Sequence, residues 1–412
     1  MFLIVVYSNA YVASARRLHP AVLAGRWAVV SLAATLISGA WLRAAIVWPS
    51  LAQGVHVPFG VHAHSHVAFF GWLVLAVASL AARQVAWTER AAQRWRWVVH
   101  VLGALSLVAL VAFAAVGYDT PTIVLSAVHV LLWFPLVRLV WSMEFASVGE
   151  RAWWHAAWIS LLAAGAATLI PGVLAARGVR TGWWREFGIK LFLALFLNGF
   201  AGLSTMGILL AGRGRDIRGV RSATWARRLI GASLLPLAVL YVATPPPLPW
   251  MVWIGRAAVG VVGASTIVVV VLAWRCAHSL WTRAAIMALG LVGVLEGVAA
   301  AGVGDQLMHS RPITIAFTHV LLLLGVTPIL AAALAGPHAP RWRPLLATIG
   351  AVAMCSALVA FGWRWLGAYA VGAGLSPMEL LTFAAIGGAL AAAAWLSLLP
   401  LLFGAPAPEV RP

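Results

Sequence analysis

The sequence predicts an all-α, polytopic membrane protein of about twelve transmembrane helices in a single domain spanning residues 1–412, with both termini cytoplasmic. Three observations carry this. The chain is 63% hydrophobic and 9% charged over 412 residues, with a mean hydropathy of +0.97, a balance outside the range of soluble globular domains. Apolar stretches of roughly 20 residues, the length that crosses a bilayer, recur from end to end. Short arginine-bearing loops alternate with loops poor in charge, the pattern that orients helices across a bilayer with the positive side in the cytoplasm.

The apolar stretches fall at about 22–48, 60–86, 96–117, 121–143, 153–175, 187–211, 224–244, 251–274, 281–302, 312–335, 344–366 and 378–403. No long loop separates them. Arg16, Arg17 and Arg26 precede or open the first span, Arg83 to Arg96 close the second, and Arg213 to Arg228 follow the sixth. The loops 49–58, 118–121 and 244–250 carry little charge; the loop with Arg177, Arg180 and Arg185 is the exception. The reading is therefore a multi-pass protein of the cell inner membrane. Met1 to Val12 read as a short apolar lead without a clear cleavage site.

The net charge of +18 does not indicate nucleic-acid binding, because the arginines lie in short runs between spans and Lys190 is the single lysine. Cys276 and Cys355 form neither a CxxC nor a disulfide framework, and the absence of CxxCH excludes a covalently attached c-type haem on this chain.

Chemistry concentrates in Val61-His62-Ala63-His64-Ser65-His66-Val67-Ala68-Phe69-Phe70-Gly71-Trp72. Imidazole is costly in lipid unless it is hydrogen-bonded, paired or metal-bound, and it is a common ligand of haem iron and copper. On a helix, His62 and His66 share a face while His64 points about 200° away. One face can ligate a cofactor while the other hydrogen-bonds elsewhere or meets a second site; all three binding one metal is disfavoured if the stretch is helical. The bland alternative is a set of interfacial hydrogen-bonding residues. His129 lies about eight residues into the fourth span and His319 about eight into the tenth, so at ~1.5 Å per residue they sit at a depth similar to His64. Thr314, Thr318 and Ser310 are candidate donors to His319. Glu296, late in the ninth span, is a candidate for a proton path or an ion pair, with Asp305, Gln306 and His309 following it. Arg180 and Arg185 are candidates for haem propionates or for lipid headgroups.

The run His64-Ser65-His66-Val67-Ala68-Phe69-Phe70-Gly71 resembles the helix-two motif of the haem–copper oxidase and nitric oxide reductase superfamily, catalytic-subunit type. His319-Val320-Leu321-Leu322-Leu323-Leu324-Gly325 resembles its helix-ten motif. The resemblance implies twelve helices and a b-type haem (haem b) with His64 and His319 as axial ligands. The sequence departs from that family at Phe317, where the high-spin haem ligand would stand, and in the absence of histidine from helices six and seven. A weaker resemblance links the His-x-His run to the NnrS family, also polytopic and haem-binding. The leading expectation is a bis-histidine haem protein for electron transfer or gas (NO or O2) response, served by a cytochrome, a cupredoxin or quinol. A second is an oxygen or nitric oxide reductase in which His62, His66 and His129 hold copper or non-haem iron. A third is a metal-ion or proton transporter lined by Glu296, Asp305 and His309.

Overall fold

The computed structural model describes residues 19–84, 87–141, 148–179, 181–211, 217–240, 248–275, 277, 279–302, 310–335, 342–365 and 376–403. The N-terminal lead, Arg180, Cys276, Asp305, Gln306 and His309 lie outside them. The described residues are overwhelmingly helical and contain no strand.

Twelve long helices follow one another: α1 Pro20–Val47, α2 Val57–Ala82, α3 Glu89–Val116, α4 Thr120–Trp141, α5 Glu150–Ala176, α6 Trp183–Ala211, α7 Ile217–Leu240, α8 Pro249–Trp274, α9 Leu280–Ala300, α10 Arg311–Ala335, α11 Trp342–Trp365 and α12 Pro377–Leu401. Eleven of them are long and apolar enough to cross a membrane, so the chain is a multi-pass membrane protein. The exception, α7, carries Arg218, Arg221, Arg227 and Arg228 in its first half.

Several helices begin before their apolar stretch does. The hydroxyl of Thr88 caps α3 by accepting from the Ala91 amide at 3.3 Å, so the helix starts at Glu89 although hydropathy rises only near residue 96. Side-chain oxygens at that position satisfy amides that have no partner within the helix. Ser279 caps α9 in the same way, and Ser376 with Glu379 forms a reciprocal capping box on α12. Proline in the first turn of α1, α2, α8, α10 and α12 costs no hydrogen bond there.

Sequence neighbours pack side by side, and α12 returns to α1, so the helices close a ring. Three spans lie deepest: in their apolar stretches 83% of α2, 61% of α6 and 56% of α10 is buried. The same three leave α-helical geometry in mid-membrane. A π-helical segment runs Val67–Leu73 in α2, Ala194–Gly202 in α6 and Val320–Val326 in α10. Such wide turns are rare and are often found at functional sites.

These inner helices reveal an internal repeat of four helices. Gly71, Gly199 and Gly325 occupy matching places in the π segments, 128 and 126 residues apart. Each admits a neighbour from the helix that opens its unit. A methyl group on Gly71 would lie 2.4 Å from Ser31 Oγ of α1, one on Gly199 2.7 Å from Ser160 Cβ of α5, and one on Gly325 2.7 Å from Leu289 Cδ2 of α9. Ser31, Ser160 and Leu289 are themselves 129 residues apart in turn. Gly60 against Trp41 and Leu42, and Gly188 against Ile170 and Pro171, repeat the relation nearer the helix starts. Small residues let helix backbones approach where lipid offers no hydrophobic drive for association.

The inner helices α2 and α10 are also tied to each other. In mid-membrane the indole N–H of Trp72 donates to Thr327 Oγ1 at 3.0 Å. At their far ends Arg83 donates to the carbonyls of Ala333 and Leu334 at 2.9 and 3.0 Å, satisfying the last turn of α10.

Two outcomes follow for stability in detergent. Gly71→Leu drives a side chain into Ser31 and should destabilise the fold by about 1–3 kcal/mol, seen as a lowered melting temperature. Gly172→Ala, with nothing within 4 Å of the new methyl, should change it little. A double-mutant cycle with Trp72→Phe and Thr327→Val should yield a coupling of about 0.6 kcal/mol, typical of a hydrogen bond between membrane helices; additive effects would mean the bond does not tie the helices.

Candidate cofactor site

The first turns of α2 are α-helical from Val57 to His66, so the three histidines separate onto two faces. His64 turns toward α1. Its Nδ1 lies 3.0 Å from the carbonyl of Thr35 and 3.2 Å from Ser38 Oγ. Gly39 makes room for the ring: a methyl there would sit 2.8 Å from His64 Cε1. His319, at the point where α10 enters its π segment, holds its Nδ1 2.7 Å from the carbonyl of Ile315.

A carbonyl can only accept, so the Nδ1 of both rings carries a proton and the lone pair of the neutral ring is on Nε2. Neither Nε2 has a hydrogen bond among the described residues. This is the arrangement that histidine adopts as a ligand, with the far ring nitrogen anchored to a carbonyl. His64 and His319 lie within electrostatic reach of each other and of the guanidinium of Arg43 on α1. Arg43 has no carboxylate partner among the described residues. Its stem runs past Gly388 on α12, and Cys355 of α11 lies near its charge. The site is thus built from α1, α2, α10 and α11.

His62 and His66 face the other way. His66 Nδ1 is 2.8 Å from the carbonyl of His62, and its ring stacks on Phe113 at 3.9 Å. Its Nε2 is 3.4 Å from the hydroxyl of Tyr118, and the ring of His62 meets Tyr118 edge-on at 4.6 Å. His129 is fully buried, with Nδ1 3.2 Å from the carbonyl of Leu125 and Nε2 3.2 Å from Ser106 Oγ. Both nitrogens of His66 and of His129 are occupied. Among the described residues no group of three or more histidine, cysteine or acidic side chains is arranged to hold a metal ion. His62, His66 and His129 are therefore gathered on one side of α2 as a hydrogen-bonded aromatic cluster rather than converging on a point.

Other expected residues are placed differently. Arg185 lies within electrostatic reach of His62 and Tyr118, while Arg43 is the cation near the His64–His319 pair. Burial pushes the Tyr118 phenol up to about 12, against the opposing pull of Arg185. The hydroxyls of Thr314 and Thr318 donate to carbonyls of their own helix at 3.2 and 2.9 Å, so they do not serve His319. Threonine in an apolar helix takes this nearest acceptor when no other is offered. Glu296 is buried on α9, the helix before that of His319, and pairs with Asn198 of α6 at 3.5 Å. Arg43, Tyr118 and Ser106 are the participants that sequence reasoning missed; an arginine inside an apolar span was the available signal for Arg43.

In cofactor-free protein, nitrogen-15 NMR of the histidine rings should show His64 and His319 with the proton on Nδ1, and Gly39→Ala should shift the signal of His64 while leaving His129 unchanged. An unaltered His64 signal would mean that Gly39 does not position the ring. No protein-family model matches the chain, and no curated protein matches it.

Proposed function

We propose that the chain is a membrane haem protein in which His64 and His319 are the axial ligands of one b-type haem, working in electron transfer. The observation that supports this most is the paired geometry: two histidines on the clamped helices α2 and α10, each with Nδ1 anchored to a carbonyl and Nε2 without a partner. Arg43 would face the carboxylates of such a group, supplying the charge that they need in an apolar setting. The residues at the site fit a haem better than a bare metal ion, since they offer two imidazoles and an arginine, with no three-ligand set among the described residues. A haem with both axial positions taken by imidazole supplies one-electron exchange. The protein's own residues would orient the imidazoles, through the carbonyls of Thr35 and Ile315, and set the local charge through Arg43.

The loop charges support an orientation with both termini in the cytoplasm of a bacterial-type inner membrane, which places the His64 end of α2 toward the outside. There a cytochrome, a cupredoxin or membrane quinol could exchange electrons. The reductase reading is less favoured, because His66 and His129 are committed to other partners.

Purified protein should show a reduced-minus-oxidised spectrum of haem b at one haem per chain. His64→Ala and His319→Ala should abolish stoichiometric haem, whereas His129→Ala should retain it. Arg43→Gln should keep the haem and lower its midpoint potential, because loss of a nearby positive charge favours the ferric state. A spectrum unchanged in both ligand variants would refute the assignment.

A further inference from the structure

On α9 a carboxyl is buried with part of its hydrogen-bonding capacity unused among the described residues. Glu296 is 2% exposed. Its Oε1 accepts from the Asn198 amide at 3.5 Å, and its Oε2 has no partner among the described residues. The carboxyl opens on a small cavity between α6, α7, α8, α9 and α10, walled by Asn198, Met206, Ile230, Thr266 and Leu321. Among the described residues no charged side chain faces it: α6 contributes the Asn198 amide, α8 the Thr266 hydroxyl, and α7 and α10 apolar groups.

The internal repeat shows that this polarity is particular to the second unit. The residue just before the repeat glycine is Phe70 in the first unit, Asn198 in the second and Leu324 in the third. Phe70 fills its unit against the rings of His129 and Trp133, at 5.2 Å from each. Asn198 is smaller and polar, and the cavity takes up the space beside it. An ionised carboxylate there would have one weak donor and no counter-ion, which is unfavourable at membrane depth. Three oxygen-bearing side chains are too few for an alkali ion stripped of water. One proton neutralises the carboxyl and turns the orphaned Oε2 into a donor.

We propose that Glu296, Asn198 and Thr266 form a proton-binding site in the membrane interior, with space beside the carboxyl for water. Glu296 holds the proton as a carboxylic acid. On release the O–H bond breaks, the proton passes to water as hydronium, and the carboxylate left behind keeps the Asn198 N–H as its donor. The readout is the carboxyl itself, so protein without cofactor serves for the test.

Infrared spectra of the purified full chain at neutral pH, in H2O and D2O, read this directly; only ten aspartates and glutamates contribute. The wild type should show the C=O stretch of a protonated carboxylic acid that shifts in D2O. The band should vanish in Glu296→Gln and persist, displaced, in Asn198→Leu, which reproduces the third unit's choice of side chain. Should Glu296→Gln fail to fold, Thr266→Val supplies the readout through a displaced band. Absence of the band in the wild type, its survival in folded Glu296→Gln, or an undisplaced band in Thr266→Val would overturn the proposal. Replacing choline by sodium or lithium at constant pH should leave the band intact; its loss would reassign the site to a metal cation and equally overturn it.

Discussion

The pairing of α2 with α10 is the constraint on which the rest of the molecule depends. These helices are remote in sequence, yet they are joined in mid-membrane by Trp72 and Thr327 and at one end by Arg83 on the carbonyls of Ala333 and Leu334. The two ties hold the opposite ends of the helices, with His64 and His319, in a fixed relation. Lipid gives no hydrophobic drive for bringing helices together, so packing of small residues and interhelical hydrogen bonds must do it. A histidine pair set by such ties would lose little conformational freedom on binding a cofactor.

The fourfold helix unit, used three times, explains how one scaffold provides chemically distinct interiors. Each unit places a glycine of a π segment against the helix that opens the unit. The wide turn and the missing side chain bring an inner helix close to its neighbour, and the adjoining residue decides what fills the space. In the first unit Phe70 joins an aromatic cluster with His129 and Trp133. In the second, Asn198 meets a buried carboxyl. The third unit contributes α10 and α11, whose His319 and Cys355 face back toward α1 of the first across the closing edge of the ring. Each of the three places carries its own polar chemistry within a largely apolar bundle.

Much of the fold was legible because bilayer crossing imposes a length and a composition that few side chains can disguise. The division of His62, His64 and His66 between two faces was legible too, since it follows from helical periodicity alone. The π segments were not, because Val320–Val326 reads as any apolar helix. The repeat was hidden because Ser31, Ser160 and Leu289 share a place but not a chemistry, and only the approach to a glycine reveals their equivalence. Hydropathy also understated α7, whose arginines continue the helix beyond its apolar part. Arg43 is one cation in an apolar run, and nothing local ties it to the histidines; the partners of His66 and His129 come from helices whose contacts no local pattern encodes.

Low-temperature electron paramagnetic resonance of the oxidised, purified protein tests the central claim most directly. Iron held by both His64 and His319 should give a single low-spin ferric signal that azide and nitric oxide leave unchanged, because no coordination position is open. A high-spin ferric signal that azide converts, or protein without haem iron, would contradict the account.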